Sequence, residues 1–108
     1  IVCKGKPNGY VVTADEFGDY VLRLKWRFPA DSKGGNSGVL LHVQAKDEVW
    51  PQSVEAQLQS GRAGDFWLIY PPAVSLTVDK ARQDPKQARH YFREPKDGGI
   101  EKPFGEWN

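Results

Sequence analysis

Between Tyr20 and Phe28 the chain alternates without a break. Tyr20, Leu22, Leu24, Trp26 and Phe28 fall on one side, and Val21, Arg23, Lys25 and Arg27 on the other. A period of two sends successive side chains to opposite faces of a strand and does not fit the 3.6-residue repeat of a helix. The run is therefore predicted to be a strand with one buried and one wet face, ended by Pro29. A second alternation follows at Ser53, where Val54, Ala56 and Leu58 interleave with Glu55, Gln57 and Gln59. Tyr10–Thr13, Val39–Gln44, Phe66–Tyr70 and Ala73–Val78 read as further short strands. Turn material separates them: Pro7-Asn8-Gly9, the glycine-bearing stretch Ala30–Gly38, Gly61–Asp65 and Pro71-Pro72. From Asp79 to Lys102 the pattern dissolves into a polar segment with Pro85, Pro95 and Gly98-Gly99, with room for a short helical turn around Gln83–Tyr91. Lys102–Asn108 reads as the entry to one more strand. Many short strands without a sustained helix predict an all-β sandwich or barrel.

Composition narrows the function classes. The 108 residues are expected to hold one domain at most. With 39% apolar and 27% charged residues the chain is globular rather than disordered. A net charge of +1 gives no reason to expect a nucleic-acid or membrane-surface partner. No apolar run approaches the ~20 residues of a membrane span. The single Cys3 rules out an intramolecular disulfide and a cysteine metal cluster. Ile1 opens the chain with neither an initiating Met nor a basic and apolar leader, so a processed or excised segment is expected.

The row Glu55, Gln57, Gln59 is the least ordinary feature. Solvated strand faces favour Lys, Thr and Arg, and Gln is a mediocre strand residue. Amides that both donate and accept, beside one carboxylate, suit the hydroxyls of a sugar. His42 and Gln44 share a face of the preceding strand, so antiparallel pairing is expected to bring His42 beside the row. Trp50, next to Pro51, and Trp67 are candidate platforms for a sugar ring, whereas Trp26 is expected in the core. Asn36, in the run GGNSG, either caps a turn or points into a groove at the strand mouth. No phosphate-binding loop, zinc spacing or calcium loop is present, and no Ser–His–acid triad assembles.

The run GGNSGVLLHVQAKDEVWPQSVEAQLQSGRAGDFWLI, with GKPNGYVVT before it and KPFGEWN after it, closely resembles the 3-keto-disaccharide hydrolase domain family. That resemblance implies a concanavalin A-like jelly-roll β-sandwich in a bacterial protein, periplasmic or secreted, that acts on oxidised 3-keto sugars and glycosides. It covers nearly all of this chain but about the middle of the family domain. Residues 1–108 are accordingly expected to form a partial jelly roll, with flanking strands lying outside it. Open sheet edges in such a piece would favour homo-oligomers.

The related β-glucanases carry the pattern E-x-D-x-x-E on one strand, where this chain has only Glu55 as an acid. A retaining glycosidase needs two carboxyl groups about 5–5.5 Å apart, so double displacement from this strand is not expected. A 3-keto sugar does not require it. The ketone acidifies the neighbouring C2 proton, one base removes it, and the enolate expels the C1 substituent before water adds back. By this resemblance Glu55 serves as base or metal ligand, while His42, Gln57 and Gln59 position the sugar or stabilise the oxyanion. No cofactor is evident. A divalent ion would suit an enediolate, but its ligands are not legible in the sequence. The rival expectation is a carbohydrate-binding module without chemistry, using the amide row with Trp50 or Trp67. In the long loop, Arg89, His90 and Arg93 could reach over a groove, and Glu106 is a weak second carboxylate.

Overall fold

The structure is a computed structural model and describes residues 1–44, 48–70, 76–93 and 100–108. Four strands form one antiparallel sheet in sequence order: β1 (Gly38–Gln44), β2 (Gln52–Gln57), β3 (Phe66–Ile69) and β4 (His90–Tyr91). The only helix among the described residues is a 3-10 turn, Lys80–Arg82, capped by Asp79, whose Oδ1 accepts from the Ala81 N–H at 2.9 Å. The chain is thus all-β. No helix among the described residues is long and apolar enough to cross a membrane.

The β1–β2 ladder pairs Gly38 with Gln57, Val39 with Ala56, Leu40 with Glu55 and Leu41 with Val54. It continues past the strand ends, because the Leu58 N–H donates to the Ser37 carbonyl at 2.8 Å and the Ser60 N–H to the Gly35 carbonyl at 3.0 Å. Gly34 has φ +91°, and a β-carbon there would stand 2.7 Å from the Ser60 hydroxyl. Backbone conformation and crowding both require a glycine at that position. Beyond β4, Arg82–Asp84 runs alongside it. The Phe92 N–H donates to the Arg82 carbonyl at 2.7 Å, the Asp84 N–H to the His90 carbonyl at 3.0 Å, and Gln83 bridges to Tyr91.

Strand propensity and strand formation part company at Tyr20–Phe28, which forms no strand. A ladder needs a hydrogen-bonding neighbour. The backbone bonds this segment makes lie at its far end, where Trp26 and Asn108 exchange bonds of 3.2 and 2.9 Å and the Gly105 N–H reaches the Phe28 carbonyl at 2.8 Å. The expected final strand at Lys102–Asn108 is likewise replaced by this short pairing. Tyr10–Thr13 is also non-strand, with Val11 and Val12 exposed. Of the expected strand at Ala73–Val78, residues 73–75 lie outside the described residues and Leu76–Val78 is not strand.

The predicted sidedness nevertheless persists. Tyr20, Leu22 and Leu24 face Val39, Leu41, Ala56 and Leu58 across a cleft of about 460 Å³. Trp26, Phe28 and Phe104 continue the apolar side in edge-to-face contacts, with centroid spacings of 5.6 and 6.1 Å. Arg27, on the opposite parity, lies over the Trp107 ring at 4.6 Å. Val39, Leu41, Val54, Ala56 and Leu68 are only half-buried, so the apolar side of the sheet is thinly covered.

Candidate functional site

Residues directly opposite in an antiparallel ladder share a face. Register therefore builds a row across the other side of the sheet: Leu40 on β1, Glu55 on β2, Trp67 on β3 and His90 on β4. Gly38 and Gln57 flank the row on one side, Ser53 and Ile69 on the other. Glu55 and Gln57, two of the polar members of the Ser53 alternation, thus stand on one face, opposite the apolar cleft.

Glu55 is half-buried and, among the described residues, has neither a hydrogen bond nor an ion pair. Its side chain lies over Gly38. Burial without a compensating partner raises its carboxyl above the ordinary 4.5. Gln57 is buried at 4% exposure, and its Oε1 accepts from the N–H groups of Leu58 and Gln59, each at 3.0 Å. The amide expected to meet a ligand closes the end of β2 first, leaving its Nε2 as the group still on offer. Gln59 lies beyond the strand, exposed, with its carbonyl taken by the Arg62 N–H at 2.8 Å.

His42 does not join this row. After Leu41↔Val54 the next pair is Gln44↔Gln52, so β1 carries one extra residue. Such a bulge reverses the facing of the residues around it. His42 takes φ +50° and turns to the cleft side, where its ring lies 5.9 Å from that of Tyr20. The expectation that antiparallel pairing brings His42 beside Glu55 is corrected by this bulge. Asn36 and Trp50 are exposed in the loops before β1 and β2. Trp67 is in the row, with one face stacked on His90 at 4.2 Å and 11°.

The most connected group in the row is one that the sequence placed only in a loop. His90 is 5% exposed. Its Nδ1 lies 2.9 Å from Asp84 Oδ2 and its Nε2 3.1 Å from Asp65 Oδ2. The other oxygen of Asp65 accepts from the Arg93 N–H at 2.8 Å, and Arg62 Nη1 approaches Oδ2 at 3.7 Å. The hydrogen bond from His90, helped by the Lys86 N–H, holds the Asp84 carboxyl below its ordinary 3.8. Asp65 reads in sequence as the end of a turn. The signal for it is parity: it precedes Phe66–Ile69 and falls on the same side as Trp67, a lone acid on an apolar strand.

Among the described residues no group of three or more His, Cys, Asp or Glu side chains is placed to hold a metal ion. Chemically, the row offers one underpartnered carboxylate, an amide donor, a tryptophan ring fixed from behind, and a closed carboxylate–imidazole–carboxylate clasp.

The whole chain, residues 1–108, matches the profile of a domain family described as 3-keto-alpha-glucoside-1,2-lyase-like, in agreement with the resemblance of the quoted sequence runs. No curated protein and no solved structure matches it.

Proposed function

The chain belongs to the 3-keto-alpha-glucoside-1,2-lyase-like domain family, and on that premise we propose that it cleaves 3-keto glycosides by elimination, with Glu55 as the base. The family's name points to carbohydrate chemistry at a 3-keto glycoside. The observation that carries the assignment within this chain is the state of Glu55: half-buried, unpartnered among the described residues, and with a carboxyl pushed upward by burial. A general base works best when its proton affinity approaches the working pH. A carboxylate already tied into hydrogen bonds, as Asp65 and Asp84 are, is poorly suited to that task.

In the proposed reaction Glu55 takes the C2 proton, and the electrons of that bond pass through the enolate to form the C1–C2 double bond. The C1–O bond breaks, and the leaving group departs with its electron pair and gains a proton. Water adds across the double bond afterwards. Gln57 Nε2 is a donor for the sugar or its developing oxyanion, and Trp67 supplies an apolar wall whose rear face is occupied by His90. His42 lies on the far side of the sheet and has no part in this scheme.

The same reading takes the sheet as one layer of a concanavalin A-like jelly roll in an exported bacterial protein, with the Tyr20–Phe28 segment beginning the second layer. Its support is the apolar side of that segment, where Leu22 and Leu24 remain 52% and 46% exposed.

The test is Glu55→Gln. Turnover of a 3-keto-glucoside should collapse by about a hundredfold or more while the circular dichroism spectrum is kept and the melting temperature does not fall. A variant that keeps its turnover removes Glu55 from the chemistry. Binding of unoxidised glycans by the parent chain, with no product from keto sugars, would instead favour a carbohydrate-binding module.

A further inference from the structure

We propose that Gly38 is a positioning residue for Glu55: the bare backbone of β1 at this point is the berth over which the carboxylate lies. The inference rests on the reading of Glu55 as the base, and it concerns what holds that base in place.

The glycines of Gly34–Gly38 are present for different reasons. Gly34 has a left-handed φ and meets Ser60, while a β-carbon on Gly35 would stand 2.7 Å from the Phe28 ring. Gly38 is not among the glycines with positive φ. Its backbone is ordinary strand, which any residue adopts, and glycine weakens a strand interior. What excludes a side chain is Glu55. A β-carbon on Gly38 would collide with Glu55 Oε1 and stand 2.7 Å from both Cγ and Cδ.

Register shows how the carboxylate comes to be there. Leu40 is the direct neighbour of Glu55, and Gln57 that of Gly38. Glu55 therefore leans diagonally across β1, a reach open to a long side chain. It leans away from Trp67, its other cross-strand neighbour. Lying flat over peptide groups, the carboxylate loses part of its water, which accounts for its burial without any ion pair.

A methyl group at position 38 displaces the end of a flexible side chain rather than backbone. The sheet can form, and the carboxylate moves out into solvent. Even an ångström of misplacement at a reacting group can cost about a hundredfold in rate.

The experiment compares the chain with its Gly38→Ala variant. Carbon-13 NMR of the Glu55 carboxyl, with Glu55→Gln to assign the signal, reads the berth without any need for turnover. The titration midpoint is expected to fall toward 4.5 in Gly38→Ala. With a 3-keto-glucoside, kcat is expected to drop about 10–100-fold with KM little changed, and the acid limb of the pH–rate profile to move to lower pH. An unmoved carboxyl midpoint in Gly38→Ala overturns the proposal. A moved midpoint in a chain that shows no turnover upholds the berth and removes the elimination chemistry instead. If Gly38→Ala fails to fold, the same substitution is made in a Glu55→Ala background. Recovery of folding there identifies Glu55 as the obstructing group, and continued failure overturns the proposal.

Discussion

Replacing His90 with Ala tests whether the clasp across the sheet is the closed unit that its distances describe. His90 joins three pieces of chain: β4, which carries it, Asp65 just before β3, and Asp84 in the segment beside β4. The bond to Asp65 is made between side chains each only 7% exposed. A charge-assisted bond of that kind contributes about 1.5–3 kcal/mol. The stack on Trp67 adds about 0.5–1.5 kcal/mol, so the substitution should cost about 2–4.5 kcal/mol. Small domains are stable by only about 5–15 kcal/mol, so the loss is a large share of the total. Urea unfolding followed by tryptophan fluorescence measures it. At an m-value of about 1.5 kcal/mol/M the midpoint should fall by roughly 1.3–3 M. Asp65→Asn placed on top of His90→Ala should recover part of the loss, because it neutralises a buried carboxylate whose Oδ2 has lost the imidazole and keeps only Arg62 at 3.7 Å. A loss below about 1 kcal/mol, or no recovery in the double variant, would refute the closed clasp. Acid reports on the same unit. The Asp84 carboxyl is held below 3.8 in the folded chain. It therefore contributes stability above that pH, which is lost as pH falls through the lower folded value. Asp84→Asn should flatten that acid-side loss.

Glu55 should behave in the opposite sense. Its folded proton affinity is raised above 4.5, so the folded chain holds this proton more tightly than the unfolded chain. Stability therefore declines as pH rises from about 4.5 through the folded value. Glu55→Gln should be the more stable chain above that window and should converge with the parent below it, as read from melting temperature against pH; parallel curves would contradict the burial of the carboxylate. Gln57→Leu deletes the acceptor of the Gln59 N–H and the second acceptor of the Leu58 N–H, which keeps its bond to the Ser37 carbonyl. It should lose about 1–3 kcal/mol in urea unfolding, and an unchanged midpoint would show that this amide does not hold the turn.

Much of the sheet was legible because hydrophobic parity is a local property of the chain. Val54 and Ala56 alternate with Glu55 and Gln57 in the sequence, and the two sets do occupy opposite faces. The apolar side of Tyr20–Phe28 was legible for the same reason, and Tyr20, Leu22 and Leu24 do face the sheet. Its strand character was not, because a ladder depends on a neighbour that parity does not supply. His42 was misplaced by one extra residue in β1. A bulge inverts parity from that point on, and no local residue pattern announces it.

Sequence alone determined an all-β chain, the opposite facing of Glu55 and Gln57 from Val54 and Ala56, and the chain's family, since each depends on which residues follow one another. Tertiary structure alone decided that His90 reaches Asp65 across 25 positions, that Gln57 turns back on its own backbone, and that Gly38 clears space for Glu55. These depend on register, which is fixed by how whole strands pair rather than by the preferences of any one residue.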